Sequence, residues 1–406
     1  MASVNDMIIY QAGPLLADLV EQATGQAIMA PANTGEFISA ATTAIKNGYE
    51  PILNAMSQMW GNTIFSTRPY TSKMRGLEMD MERWGNATRK LSVVSNAPQN
   101  DQRFLWPVGY DANQNPANGN GNSVDMFRLA KKDILQTVFY GQSVYQDRFT
   151  IFRDNLDVAF RGPEEFMNFN ILQMEDRSNS LETWKDTLKH GLISNLGAAL
   201  YQENDDTRVI HLVTEYATEY GDPTMTLDQI RANGQFADLM RWIYAKMNTV
   251  AREMSMRTVK YQTTIAGKPI LRHTPAEYLR CYVSGRYWDQ IQAMVLSNTW
   301  HDDYLRTVDM EDVAYWQSID SPTAISCKPV MTEAATGNAV VSATDVSVGN
   351  VFALMFDRDA LGFATVNEWS AMTPFNTDGG YWNDCYHANV RARQDMTEKA
   401  VLFLLD

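Results

Sequence analysis

One long run of helical periodicity constrains this 406-residue chain more than any other feature. The run opens at Pro163, Glu164 and Glu165, a typical helix start, because proline fits the first turn and carboxylates favour the positive end of the helix dipole. Apolar residues then recur at spacings of three or four as far as Leu200. One helix over Pro163–Tyr201 would be about 58 Å long at roughly 1.5 Å per residue. A helix of that length outspans an ordinary core, and we expect it to serve as a spine.

Two apolar runs near the end of the chain, Val351–Phe356 and Ala400–Leu405, are typical of buried strands. The second run is unusual, because terminal residues are generally polar and frayed unless a sheet holds them. The span between the runs, from Ala364 to Met396, is rich in turn residues, and we expect a turn-rich segment there. It also carries large aromatic residues, namely Trp369, Phe375, Tyr381, Trp382 and Tyr386. We expect packing within and between subunits to cover these rings.

The composition describes a globular protein with a substantial core, since 45% of residues are hydrophobic and 20% are charged. The formal charge of −14 argues against a protein that grips nucleic-acid phosphates, although it is compatible with an acidic container for nucleic acid. Cys281, Cys327 and Cys385 are far apart and form no CxxC motif, which indicates neither a disulfide framework nor a zinc site. The sequence shows no membrane-spanning run and no signal peptide, which predicts synthesis in a cytoplasm.

Residues 1–60 carry several turn signals and mixed small and apolar residues. Short helices are predicted at Leu15–Ala23 and Phe37–Lys46. A compact core does not obviously begin in this region, and we expect an arm that needs a partner surface.

Residues 61–160 are rich in strand-like patterns. Strands are predicted at Arg89–Val94, Leu135–Phe139 and Ser143–Phe152. Between the first two lies Asp111–Asn122, a polar Asn/Gly/Pro segment typical of an exposed loop tip. A strand-rich excursion that returns to its starting point predicts a protruding hairpin.

The second half of the chain mixes both kinds of element. A helix is predicted at Phe236–Met254, a strand at Arg257–Thr264 and a shorter helix at Tyr287–Ser297. Together with the spine helix and the closing strands, this order predicts an α+β fold.

Catalytic motifs are missing from the sequence: it contains no GxSxG, no P-loop and no HExxH. His301, Asp302 and Asp303 are adjacent and would suit a metal, but a solvated corner after a helix explains them more simply. His387, in the aromatic segment, is interpreted as a hydrogen-bonded structural histidine and not as a ligand. We therefore predict a protein that is not an enzyme and that has no metal and no cofactor.

Basic residues cluster mildly in the strand-rich region, close to a tryptophan. The candidate contact residues are Arg83, Trp84, Gly85, Arg89, Lys90, Lys131 and Lys132. One interpretation is contact with nucleic acid, since an aromatic ring lies among the cations. The other is charge complementarity with an acidic neighbouring subunit, and the net charge of the chain favours it.

Four stretches resemble the major capsid proteins of tailed phages with the Hong Kong 97-type fold, in particular those of small short-tailed phages with protein-primed genomes. The stretch RWGNATRKL resembles the strand that enters the family's extended loop, and MNFNILQMEDRSNSLETWKDTLKHGLI resembles its spine helix. FADLMRWIYAKMNTVAREMS is similar to the next helix. VFALMFDRDALGF followed by GGYWNDCYHANVRARQDMTEKAVLFLLD resembles the closing strands.

The resemblance implies an N-terminal arm, an extended β-hairpin loop, and peripheral and apical domains. We expect these to divide the chain into an arm (1–60), an extended loop with the start of the peripheral domain (61–160), the spine helix and peripheral domain (161–225), a mostly apical region (226–345), and closing strands of the peripheral domain (346–406). The cationic candidates would then be intersubunit contacts of the extended loop.

The resemblance also implies a function and partners. Copies of the chain would assemble as pentamers and hexamers, in a bacterial cytoplasm, into an icosahedral or prolate shell that encloses double-stranded DNA without reading its sequence. The chain lacks a long charged coiled-coil prefix, so we expect a separate scaffolding protein, together with a portal and, as a further partner, a decoration protein; no membrane is expected. Two alternatives stay open: an encapsulin-like cellular compartment shell, and a phage tail or carbohydrate-binding protein.

Overall fold

The computed structural model describes residues 4–25, 27–46, 51–53, 55–56, 70–79, 87–94, 127, 132–140, 143–295 and 310–406. The helices are α1 (Val4–Thr24), α2 (Thr34–Lys46), α3 (Arg153–Ala159), α4 (Pro163–Glu203), α5 (Leu212–Glu219), α6 (Leu227–Ala232), α7 (Phe236–Ser255) and α8 (Gly285–Val295). The strands are β1 (Ala87–Val93), β2 (Ile134–Tyr140), β3 (Ser143–Phe152), β4 (Val209–His211), β5 (Leu279–Ser284), β6 (Met310–Val313), β7 (Ile325–Cys327), β8 (Val330–Thr332), β9 (Ala339–Val341), β10 (Val346–Val348), β11 (Val351–Asp357), β12 (Leu361–Met372), β13 (Tyr381–Gln394) and β14 (Ala400–Leu404).

The predicted spine helix is confirmed. Helix α4 begins at Pro163 and has 41 residues, which makes it about 61 Å long at roughly 1.5 Å per residue. Glu164 and Glu165 occupy its first turn, where the helix dipole favours negative charge.

The chain forms two compact units, each built from three segments. Unit 1 comprises Met1–Asn86, Gly141–Ser194 and Leu361–Gln394. Its sheet has the antiparallel order β12-β13-β3. The part of α4 that belongs to this unit packs on one face of that sheet, where the rings of Trp184 and Tyr145 lie 4.9 Å apart.

The N-terminal segment is part of a core in unit 1, against the expectation that no core begins there. Leu16 and Leu19 of α1 and Phe37 of α2 are fully buried in a cluster that also contains Phe166 and Trp382. Phe37 contacts Phe166 edge-on at 5.8 Å. The sequence hides this core because many of its buried positions are alanines, which carry little hydrophobic signal.

Unit 2 comprises Ala87–Tyr140, Asn195–Ala360 and Asp395–Asp406. Its main sheet has the order β4-β14-β11-β5-β6, with β11 antiparallel to both of its neighbours. Both predicted closing strands are confirmed, and every residue of β11 and β14 is buried. The apolar stripe of α7 packs into the same core as this sheet. Strands β11 and β14 therefore lie in the same compact unit as most of residues 226–345. The expected division places these strands in a separate segment, 346–406, so the boundaries of the two units differ from the expected ones.

The predicted hairpin strands pair as expected. Strands β1 and β2 form an antiparallel two-stranded sheet, called the ribbon below, which belongs to unit 2. The polar segment Asp111–Asn122 lies outside the described residues.

Two predictions of local structure are wrong. The span from Ala364 to Met396 is not mainly turns, because β12 and β13 occupy most of it and are antiparallel partners. Turn-type residues in these strands find tertiary partners: Asp384 bonds to Arg177, and the side chains of Asn383 and Thr150 are 2.7 Å apart. Tertiary contacts thus override the local preference of these residues.

The region 257–264 does not form the predicted strand. Tyr261 has a positive φ of 71°, which a regular extended strand does not allow. Thr258 forms an isolated bridge to Arg272. The apolar and β-branched residues of this stretch therefore gave a misleading strand signal.

Candidate intersubunit surface

The ribbon presents one apolar face to solvent. Its strands pair from Ala87 opposite Tyr140 to Val93 opposite Ile134, and alternate residues share a face. On the face that carries Leu91, the exposed fractions are 68% for Leu91, 51% for Val93, 66% for Ile134 and 77% for Tyr140. We call this the outer face of the ribbon. Burial of a side chain of this size is worth roughly 1.5–3 kcal/mol, so this cluster is typical of a surface that a partner covers.

The other face of the ribbon is held by ion pairs within unit 2. Lys90 donates from Nζ to Oδ2 of Asp395 at 2.6 Å and also bonds to Glu398. Arg272 bonds to Glu398 as well, and its Nη2 donates to Oγ of Ser92 on β1 at 3.1 Å. Two cations and two carboxylates therefore join the ribbon to the segment that precedes β14.

This cluster is largely withdrawn from solvent, and the pKa of Asp395 reflects it. Burial alone would raise the pKa of Asp395, but the charge and hydrogen bond of Lys90, with two hydrogen bonds from Thr397, more than offset that effect and lower it. Asp395 is therefore ionised at neutral pH and holds Lys90 through a charge-assisted hydrogen bond. Because its contacts link β1 to the segment that precedes β14, the cluster is a structural anchor.

A groove of about 530 Å³ lies beside β1 in the same unit. Residues 91–93 of the ribbon and 270–273 of the facing segment line it, with Asp357 and Asp359 among its acidic groups. The ribbon is thus not closely packed along its whole length. The ion pairs therefore contribute a larger share of its attachment to unit 2.

The predicted contact residues differ in their exposure and in their partners. Arg89 is exposed on the outer face, and Lys132 is exposed just before β2. Lys90 points the other way and pairs within its own chain. The remaining candidates lie outside the described residues: Arg83, Trp84, Gly85 and Lys131.

The apolar members of the outer face were missed by sequence reasoning, although a signal for them exists. In β1, Leu91 and Val93 alternate with Lys90 and Ser92, which is the period of a strand with two unlike faces. The predicted contact residues are mainly cations and do not include these alternating apolar residues. The partners of Lys90 carry no such signal, because Asp395 is 305 positions away.

His387 stacks on Trp369, with ring centroids 4.1 Å apart and an angle of 17° between the planes. The ring of His387 thus has a packing partner within its own unit, and the predicted hydrogen bond stays a prediction. Throughout the described ranges, no group of three or more His, Cys, Asp or Glu is placed to hold a metal ion. His301, Asp302 and Asp303 lie outside those ranges. None of the helices in the described part of the chain has both the length and the apolarity of a membrane span.

Solved structures identify the class of fold. The chain is similar to a chain in the capsid structure of Staphylococcus phage Andhra, with a TM-score of 0.53, 8% identity, and coverage of 85% of this chain and 87% of that one. It is also similar to a chain in the structure of the head fibre and inner core protein gp22 of native bacteriophage P68, with a TM-score of 0.52, 8% identity, and the same coverage of 85% and 87%. The predicted α+β fold of the Hong Kong 97 type is thereby confirmed.

The sequence itself gives the family. The profile of the Phi29-like phage major capsid proteins matches residues 17–404, and the chain belongs to that family. The comparison with curated proteins found no significant sequence match. The protein is therefore a structural subunit that assembles with its own copies into the shell of a phage particle, and its place is the virion. Neither the compartment-shell alternative nor the tail-protein alternative receives support.

Proposed function

We propose that this capsid protein assembles as pentamers and hexamers into a closed icosahedral or prolate shell around the double-stranded DNA of a short-tailed phage with a protein-primed genome. The family match supports the phage shell, and its Phi29-like character supports the kind of phage.

The outer face of the ribbon is the observation that carries this proposal. A folded single subunit leaves Leu91, Val93, Ile134 and Tyr140 in water, which costs free energy that a neighbouring copy would recover. The contact would be heterologous, because the ribbon of one copy would meet a different surface of the next. Contacts of this type close into rings such as pentamers and hexamers.

The exposed cations on the outer face and beside it fit the same role. Arg89 lies on the outer face and Lys132 just before β2, so both would meet the neighbouring copy with the apolar side chains. The chain has a net charge of −14, and most of its surfaces would therefore attract such cations. Arg83, Trp84, Gly85 and Lys131 belong to the same proposal by their position in the sequence.

We assign the peripheral and apical domains of the Hong Kong 97-type fold to the two compact units. Unit 1, with the spine helix on a three-stranded sheet, would supply the peripheral domain, and the main sheet of unit 2 would supply the apical domain. Residues 1–60 would act as the arm, even though part of this segment already packs in unit 1.

The partners follow from the function. A separate scaffolding protein would guide assembly, a portal would occupy one vertex, and a decoration protein would bind the finished shell. The enclosed DNA would be held without sequence-specific contacts.

Co-expression with the scaffolding protein of the same phage tests this function. Negative-stain electron microscopy should show closed particles tens of nanometres across. A protein that stays a stable monomer, both alone and with its phage partners, would contradict the proposal. Deletion of the ribbon, residues 87–140, serves as the matched negative control for the particles.

A further inference from the structure

The three-stranded sheet of unit 1 separates charge between its two faces. On the face toward α4, Arg177 contacts Asp384 at 2.6 Å and Asp147 at 3.6 Å, and Lys185 lies 3.5 Å from Glu368. These carboxylates come from all three strands. The acidic residues of β3, β12 and β13 thus all point at the helix, where cations of α4 neutralise them.

The opposite face, which we call the open face, has a different chemistry. It consists of alternate residues of β3 from Val144 to Phe152, the residues of β13 in register with them, and the partners of those on β12. These strand positions include Arg148 and His387 but no aspartate and no glutamate, and Arg391 continues the same face of β13 just beyond them. In a chain with 48 acidic and 34 basic residues, such a face is unexpected.

Exposure on the open face is highest along β3. Val144, Gln146, Arg148 and Thr150 are all exposed, whereas Arg391 is buried. Amide, hydroxyl and guanidinium groups are the donors that proteins commonly offer to the phosphates of DNA. Beside them, the half-exposed ring of Trp369 stacks on His387.

The dimensions of this face suit a duplex. β3 has 10 residues, which span about 33 Å at roughly 3.3 Å per residue. One turn of B-form DNA is about 34 Å long. The single exposed cation on this strand, Arg148, would make a weak contact, and a weak contact allows the DNA to move during packaging and release.

We propose that the open face of the β12-β13-β3 sheet lies against the phosphate backbone of packaged double-stranded DNA, with Arg148 as its main cation. The inference rests on the proposed function of enclosing DNA and adds the surface that the DNA touches. Absence of carboxylates avoids repulsion of phosphates, while polar donors and Arg148 supply sequence-independent attraction. A protein partner is less well matched, because the exposed apolar side chains of this face are dispersed: Val144 and Phe152 lie at opposite ends of β3, and Trp369 lies two strands away on β12.

Binding of the purified subunit to a short fluorescent DNA duplex of mixed sequence, followed by anisotropy over a series of low salt concentrations, tests the proposal. The Arg148→Gln variant should bind more weakly, and its slope of log K against log salt should be less negative by about 0.9, since one phosphate contact is lost. The matched control is Arg231→Gln on α6, which removes the same charge from another exposed arginine and should leave the slope unchanged. A wild type that does not bind, or equal slopes for all three proteins, would overturn the inference.

Cross-linking and assembly give independent readouts. Ultraviolet irradiation of the complex, followed by mass spectrometry, should place DNA on peptides that contain Trp369 or residues 143–152. Both arginine variants should still form shells with the scaffolding protein. If Arg148→Gln alone prevents assembly, the open face contacts another copy and the inference fails. If the wild type also fails to assemble, the proposed function fails, and the duplex measurement reports separately on the open face.

Discussion

Lys90 of strand β1 lies 2.6 Å from the carboxylate of Asp395, a residue 305 positions later in the sequence. Lys90 was expected to contact a neighbouring subunit, yet it joins the ribbon to its own chain. On the opposite face of the same strand, Leu91 and Val93 are exposed to solvent. The ribbon thus uses its charged face for anchorage, and its apolar face is the one that we propose for contact with a neighbouring copy.

Replacement of Lys90 by methionine should destabilise the subunit by about 3 kcal/mol, because it leaves two nearly buried carboxylates with one cation, Arg272. Urea unfolding of the unassembled protein measures the loss. The control is Lys132→Met, which removes an exposed ammonium near the same ribbon and should change the stability by less than about 0.5 kcal/mol. Equal effects of the two substitutions would show that the ion pairs do not anchor the ribbon.

Replacement of Leu91 and Ile134 together by serine should prevent shell formation and leave folding intact. Both side chains are mostly in water in the single subunit, so their loss matters only where a neighbour covers them, at roughly 1.5–3 kcal/mol for each side chain. The yield of particles by electron microscopy and the urea midpoint measure the two effects. Ile319→Ser, at a side chain that is 77% exposed outside the ribbon, is the control and should still assemble. Normal particle yield from the double variant would remove the ribbon from the interface.

Arg177 and Asp384 should be strongly coupled in unit 1. Asp384 is fully buried, and Arg177 lies 2.6 Å from it with its guanidinium over the ring of Phe149. Arg177→Met should cost about 3–5 kcal/mol, because an unpaired buried carboxylate remains. Asp384→Asn in the same chain should restore part of the stability, and a double-mutant cycle measures the coupling energy. Strict additivity of the two substitutions would contradict a direct ion pair.

Acid should weaken the attachment of the segment 70–79 to the spine helix. Burial raises the pKa of Glu182, but the backbone N–H of Ser72 and the ammonium of Lys185 outweigh it and lower the pKa below its usual value of 4.5. A lowered folded-state pKa means that the unfolded chain takes up the proton first. The contribution of Glu182 is therefore complete above its ordinary pKa and is lost as the pH falls through the folded value.

The comparison of wild type with Glu182→Gln isolates this effect. The difference in unfolding free energy should be about 1 kcal/mol near neutral pH, since a hydrogen bond to a charged acceptor is weakened. It should shrink as the pH falls below the ordinary pKa of a glutamate. A difference that stays constant down to acid pH would show that the charge of Glu182 contributes nothing.

Regular periodicity allowed much of the fold to be predicted. The stripe of α4, the stripe of α7 and the apolar runs of β11 and β14 each repeat with the period of their element, so local sequence was sufficient. Strands β12 and β13 were missed, because residues such as Asn383 and Asp384 favour turns locally. Their preference is overridden by partners on β3 and α4, which local reasoning cannot supply.

The candidate surface was predictable only in part. The position of the ribbon follows from its strands, and Arg89 is exposed on it; its contact with a neighbouring subunit stays a prediction. The orientation of Lys90 depends on Asp395 and Glu398, which folding alone brings to it. Exposure of Leu91 likewise depends on which face those ion pairs hold inward.

The position of β14 between β4 and β11 has a consequence for synthesis of the protein. Until residues 400–404 leave the ribosome, the main sheet of unit 2 lacks an interior strand, and the apolar edge of β11 stays open. The nascent chain must therefore extend to residue 404 before this core can close, and pairing between distant strands is slow. Nascent chains on the same messenger RNA would therefore encounter each other while the edge of β11 is still uncovered. Translation speed and chaperone supply should then limit the yield of subunits that can assemble.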